Sequence, residues 1–166
     1  MKPIKLLLIT AVFALLSFSC SSDSSLEQEL KTTAAIDLPA APAPKEIEIE
    51  ILELINQHRL GLGLSPLDNH NIVKAVAYTH TDYMVEVDHV SHDNFFLRKN
   101  SLVENASATI VSENVAYAYS SAEAVVNAWI QSDGHRENIE GDFEYTDVSA
   151  ELNSEGKWYF TNIFMK

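Results

Sequence analysis

The stretch Ala124-Val125-Val126-Asn127-Ala128-Trp129-Ile130-Gln131-Ser132-Asp133-Gly134-His135-Arg136-Glu137-Asn138-Ile139 decides how this chain folds. Its first half has helical period: Val125, Val126, Trp129 and Ile130 face a core, and Ser120 and Glu123 stand at capping-box spacing just ahead of them. Gly134 ends that helix or bends it into a second short one. At the break, Ser132-Asp133-Gly134-His135-Arg136 interrupts the apolar pattern with chemistry-bearing side chains. Two other short polar motifs do the same, Ser91-His92 and Glu113-Asn114. If the fold gathers the three, two imidazoles and a carboxylate line one cleft, a set able to hold a divalent metal or to position a water.

Upstream, Ile47, Ile51, Leu54, Ile55, His58 and Leu62 recur at three- and four-residue steps from Glu46, with Glu46, Glu50, Glu53 and Gln57 on the opposite side, and Gly61 and Gly63 stop the helix. Pro66 separates it from a second helix that the sequence opens near Asp68 or Asn69, burying Ile72, Val76, His80, Tyr83 and Val87. Asp88 to Asn105 has no clean period and reads as loop with a short helix, although Phe95, Phe96 and Leu97 call for burial. Thr109 to Tyr119 is rich in β-branched and aromatic residues and reads as a strand. Tyr145–Leu152 and Lys157–Met165 form a hairpin around Asn153-Ser154-Glu155-Gly156. Two helices, a strand, a helix and a hairpin give an α+β domain, a short antiparallel sheet covered by helices.

The ends of the chain carry other signals. Lys2 and Lys5 precede an apolar run from Leu6 to Leu16 that is too short to span a bilayer, which takes about 20 apolar residues, so residues 1–19 read as a secretory signal. Cys20, the single cysteine, closes that run before Ser21-Ser22-Asp23-Ser24-Ser25, the pattern of a bacterial lipoprotein whose thiol is acylated and becomes the mature N-terminus. Ordinary cleavage nearby, leaving a free thiol on a secreted protein, is the alternative. Without a second cysteine no intramolecular disulfide forms, so the core or a metal must hold the exported domain. Residues 20–45, ending in Leu38-Pro39-Ala40-Ala41-Pro42-Ala43-Pro44, read as a lipidated N-terminus and extended stalk, and 46–166 as one domain.

The formal charge of −13 becomes more negative once the lysines of the signal leave, which repels phosphate backbones and excludes nucleic acid as a natural partner. Acidic residues equally keep an exported domain soluble. Among the remaining histidines, His58 and His80 read as hydrogen-bonded core or boundary residues and His70 as solvent-facing. His89 forms a His-x-x-His pair with His92 but sits in loop composition. No cysteine pair, Gly-rich phosphate loop, Gly-x-Ser-x-Gly elbow or His-Glu-x-x-His helix is present. Ser91 beside His92 and Ser132 near His135 lack a placed third group for serine hydrolysis.

In these residues the chain resembles a bacterial member of the CAP superfamily, the cysteine-rich secretory, antigen five and pathogenesis-related proteins, also called SCP-like extracellular domains. The likeness covers 47–166 and rests on Ile55-Asn56-Gln57-His58-Arg59, Ser65-Pro66-Leu67, Ser91-His92, Ser112-Glu113-Asn114-Val115-Ala116 and the run Ala124 to Ile139. It implies an α-β-α sandwich around a central three-stranded antiparallel sheet, and a cleft where two histidines and two acids converge, holding zinc or another divalent ion in some members. Carried over, the metal ligands are His92, His135 and Glu113, with Glu113 alternatively a base acting on bound water. The second acid falls at Gln131 or Ser132, neither of which is one, so metal affinity is expected to be modest. Ser112 replaces the usual Gly, and Val148-Ser149-Ala150 lacks the glycines usual in the penultimate strand. Asn114, Ser132 and Arg136 are expected to support the cleft.

The function that follows is an exported, lipid-anchored binding or interaction module whose His/His/Glu cleft can take a divalent cation. Its expected partners are the membrane, through Cys20, and a lipid, cell-envelope or protein ligand. Its expected location is the cell envelope, at the outer membrane or cell surface, or the exterior if secreted. The alternatives are a metal-assisted hydrolase of peptide or cell-envelope substrates, a carrier of small apolar ligands, and a metal-free hydrogen-bonded network that pins sheet to helices.

Overall fold

The computed structural model of the protein describes residues 38–166; the signal segment, Cys20 and the first part of the stalk lie outside the described residues. Among the described residues, five helices and four strands follow in the order α1 (Glu46–Gly61), β1 (Asp68–Asn69), α2 (Asn71–Val87), α3 (Phe95–Ala106), β2 (Val111–Tyr117), α4 (Ala122–Gln131), α5 (Asp133–Glu140), β3 (Tyr145–Leu152) and β4 (Trp158–Met165). The strands lie in one sheet in the order β1-β3-β4-β2. The expected three-stranded antiparallel sheet is β3-β4-β2, in which Glu113 faces Ile163 and Val148 faces Asn162. Gly156, at φ +74°, makes the hairpin turn, a conformation that strains any residue with a Cβ.

The sheet separates two cores. On one face Ile51, Leu52 and Ile55 of α1 and Val125, Val126 and Trp129 of α4 pack against Ala116, Val148, Phe160 and Phe164. On the other, Val73, Val76 and Ala77 of α2 and Leu102 of α3 pack against Val111, Ile163 and Met165. Alternation along each strand sends successive side chains to opposite faces, so three strands serve both cores. The result is an α-β-α sandwich.

Several details differ from the sequence reading. Asp68 and Asn69 do not cap α2; they pair in parallel with Tyr145 and Thr146 as a fourth, edge strand, and His70 takes the cap, its Nδ1 accepting from the Ile72 N–H at 3.3 Å. The segment after Asp88 holds a helix of 12 residues, and Phe96 stays 67% exposed. Ser121, one residue later than expected, caps α4. Leu62, just past α1, is exposed, while Glu48 and Arg59 within the helix are buried. Burial of Glu48 is compensated: its Oε2 lies 2.6 Å from Lys74 Nζ and its Oε1 accepts from the Ala150 N–H. Arg59 is satisfied by the carbonyls of Ser65, Ile139 and Gly141. The last stalk residues lie along the domain, with Leu38 against the α2 core.

Candidate functional site

β2 is an edge strand, and its outer edge lies between the two helical layers. A side chain at the end of α2 and one at the start of α5 can therefore meet only by reaching around that edge. This is where the three polar motifs converge. A hollow of about 540 Å³ runs along β2, with Val90, Ser91 and His92 on one bank and Ala128, Trp129, Ser132 and His135 on the other; Val115, Ala116 and Tyr117 form the floor.

The first bank is built by a loop between two left-handed residues, Asp88 (φ 51°) and Asn94 (φ 59°). Two buried side chains that do not touch the hollow hold this loop. His80, 2% exposed, donates from Nε2 to the Ser91 carbonyl at 2.8 Å, and Arg98 donates from Nη1 to the Asp93 carbonyl at 2.6 Å. His92 projects from the loop half-exposed, and its Nδ1 lies 2.8 Å from Glu113 Oε1.

Glu113 itself is buried and fully engaged. Arg98 donates Nε to Oε2 and Nη2 to Oε1, each at 2.7 Å, and His80 Nε2 stands 3.9 Å from Oε1. A forked guanidinium–carboxylate pair of this kind satisfies both oxygens at once. Burial pushes the Glu113 carboxyl up, but the hydrogen bonds from His92 and Arg98, with the positive charge of Arg98, outweigh it and hold the group below the usual carboxylate range. His80 is shifted the other way from charge: burial, then Arg98, lower its pKa and keep the ring neutral.

The second bank comes from the break between α4 and α5. Ser132 stands at the N-cap position of α5 without bonding its backbone; its hydroxyl instead meets His135 Nδ1 at 2.8 Å. Asn114, fully buried, donates from Nδ2 to the His135 carbonyl, and Asn138 donates to Asn114 Oδ1 and to the Glu113 carbonyl. Arg136 spans the break, bonding the Ile130 carbonyl and Asp133. Burial first, then proximity to His92, lowers the pKa of His135, so its ring stays neutral further into acid than a free imidazole.

His92, Glu113 and His135 thus come together, supported by Asn114, Ser132 and Arg136. Their arrangement is not that of three converging ligands: among the described residues, no three His, Cys, Asp or Glu side chains are placed to hold a metal ion. The obstacle is Arg98, which with His92 occupies both oxygens of Glu113. Sequence reasoning missed Arg98, which lies in a stretch of no clean period. His80 was read correctly as a buried, hydrogen-bonded histidine, but not as a prop for the loop. His58 bonds Glu140, and His89 is exposed and outside the cleft.

A larger hollow, about 860 Å³, lies away from these groups between Ala41–Pro44, α1 and the start of α2. It contains no imidazole and depends on the stalk for one wall, whereas His92, Ser132 and His135 line the smaller cleft.

Known proteins agree with this architecture. An outer surface protein of Borrelia burgdorferi aligns with a TM-score of 0.66 at 20% identity, over 77% of this chain and 98% of that one. An extracellular protein of Bacillus anthracis containing an SCP domain aligns at 0.62 and 24%, over 72% of this chain and 40% of that one. At these identities the likeness concerns the fold. In sequence, an uncharacterized membrane protein of Bacillus subtilis is 30% identical over 122 residues, 72% of this chain but 34% of that protein, so the chain spans about a third of its length. The sequence profile of the cysteine-rich secretory protein family, CAP, matches residues 52–164, and the chain belongs to that family.

Proposed function

We propose that the protein is an exported, lipid-anchored binding module whose cleft takes a divalent cation on His92 and His135. One observation carries this reading. Both rings are held through Nδ1, by Glu113 and by Ser132, and among the described residues neither Nε2 has a protein partner. An imidazole fixed through one nitrogen by a carboxylate presents the other as a neutral, oriented ligand, which is the usual outer-shell arrangement around a bound metal. Glu113 is then the group that orients His92 rather than a ligand. Two imidazoles suit zinc and its neighbours, and water fills the remaining positions, so affinity is modest.

Export is supported by the sequence of residues 1–20 and by the surface or extracellular description of the structural relatives. No described helix is long and apolar enough to cross a membrane. The hydrolase reading gains nothing from Glu113, since a carboxylate forked to arginine with a lowered pKa is a poor base.

Calorimetric titration with Zn²⁺ tests the cation site: binding by the wild type that is lost in His92→Ala/His135→Ala supports it, and equal behaviour of the two proteins discards it. The anchor is tested by mass spectrometry of protein from the membrane fraction. An unmodified Cys20 in soluble protein ends that part of the reading.

A further inference from the structure

The floor of the cleft is a strand edge, and its hydrogen-bonding groups can be assigned one by one. Ile110 and Lys166 exchange both N–H···O=C bonds, and the Ala118 N–H bonds the Trp158 carbonyl. In an antiparallel pair such bonded positions alternate, so Ser112, Asn114 and Ala116 also turn their backbone to β4, while Glu113, Val115 and Tyr117 turn theirs to the cleft. Two of these outward carbonyls are already taken: Asn138 Nδ2 bonds that of Glu113, and Trp129 Nε1 bonds that of Val115, both at 3.2 Å. The N–H groups of Val115 and Tyr117 and the carbonyl of Tyr117 have no partner among the described residues.

We infer that the cleft binds an extended peptide segment, added as a strand to the outer edge of β2 at Val115–Tyr117. The inference rests on the binding-module reading above but not on the cation. Val115 and Tyr117 present two N–H donors about 6.8 Å apart, the spacing of alternate residues in a strand, which matches alternate carbonyls of an extended peptide. The capped carbonyls set the pairing: Trp129 holds the Val115 carbonyl, so an added strand pairs through the N–H groups of Val115 and Tyr117 and the carbonyl of Tyr117. Natural sheets cover, twist or charge their edges to prevent pairing. Here Trp129 and Asn138 engage the carbonyls of Val115 and Glu113 and leave the N–H groups of Val115 and Tyr117 to the groove. Immediately after it Ala118 sits at φ +64°, a conformation that costs an alanine energy and turns Tyr119 back to line the groove. The net charge of −13 favours a neutral or basic peptide.

The test uses full-length protein in detergent micelles and the peptide acetyl-Lys-Thr-Val-Thr-Val-Thr-Val-Lys-amide. Amide hydrogen exchange by NMR should slow at least tenfold at Val115 and Tyr117 and stay unchanged at Ala116, which is bonded to β4 throughout. Methylating alternate peptide nitrogens on one edge should weaken binding at least tenfold, and methylating the other edge should not. Val115→Pro, which removes an outward N–H at an edge strand, should lose binding; if it does not fold, the wild-type exchange result still decides. No binding at millimolar peptide, protection elsewhere than Val115 and Tyr117, or equal tolerance of methylation on both edges overturns the inference. Peptide-induced protection of Val115 and Tyr117 should persist with excess EDTA, where no divalent cation is bound, so failure of the cation site and failure of the strand site are told apart.

Discussion

Replacing Arg98 by Met strips Glu113 of its forked partner while keeping side-chain volume near α3. Arg98 is 3% and Glu113 6% exposed, so the carboxylate left behind has no access to bulk water. Removing one member of a buried ion pair typically costs about 3–5 kcal/mol. Glu113 keeps its bond to His92, and the further relief open to it is to take a proton. From an unfolded pKa of about 4.3, protonation at pH 7 costs about 3.7 kcal/mol (2.7 pH units at ~1.36 kcal/mol each), and at pH 5 only about 1 kcal/mol. Loss of the bond from Arg98 to the Asp93 carbonyl adds about 1 kcal/mol at either pH. The variant is therefore expected to lose about 4–5 kcal/mol at pH 7 and about 2 kcal/mol at pH 5.

The sign follows from linkage. In the wild type the folded pKa of Glu113 is lowered, so its contribution is present above the unfolded pKa and is lost as pH falls. In the variant the folded pKa is raised, so stability is lost as pH rises. The gap must then widen from pH 5 to pH 7. Urea denaturation followed by circular dichroism at both pH values measures it, and Arg98→Met/Glu113→Gln, with both charges gone, should recover most of the loss at pH 7. A loss under about 1 kcal/mol at pH 7, or an equal loss at the two pH values, refutes the view that this pair is a buried, mutually dependent unit.

The Glu48–Lys74 pair should behave alike: Glu48→Gln leaves a buried ammonium and is expected to lower stability by about 3–5 kcal/mol, with Glu48→Gln/Lys74→Met closer to wild type, as read by urea midpoint. Ser149 is fully buried and its Oγ has no partner, so Ser149→Ala should raise stability by about 1 kcal/mol, visible as a higher Tm. Because burial lowers the pKa of His80, the unfolded chain takes up a proton that the folded one refuses. Stability should be fully present above about pH 6.5 and decline below it, and His80→Gln should flatten that slope in a pH series of thermal melts. Zinc binding should likewise weaken in acid as His135 protonates, at a pH below that of a free imidazole because burial lowers its pKa, as monitored by calorimetry between pH 7.5 and 5.

The helices and the hairpin were readable because their signals are local. Apolar period marks α1, α2 and α4, and Gly156 marks the turn. The errors came where a residue's role depends on something distant. Asp68 and Asn69 are good caps by type, yet Tyr145 and Thr146 draw them into a strand. α3 was underestimated because its inward residues are Arg98, Ser101 and Leu102, a mostly polar stripe that carries no hydrophobic period. Burial of Glu48 and Arg59 carries no local signal, because the partners that satisfy them lie on α2, on β3 and in and after α5.

By itself the sequence determined the α+β class, most of the helices, the hairpin, and the three motifs that meet at the cleft, because each is written in residues adjacent along the chain or one helical turn apart, while the sandwich followed from the family resemblance. What only the tertiary structure decided is how those motifs are used. Arg98, 15 residues from Glu113, engages both oxygens of an expected ligand, and the place of β2 at the sheet's edge gives the cleft a floor whose Val115 and Tyr117 N–H groups have no partner among the described residues. Both depend on which groups satisfy which, and hydrogen-bond pairing across elements is fixed by packing, not by local pattern.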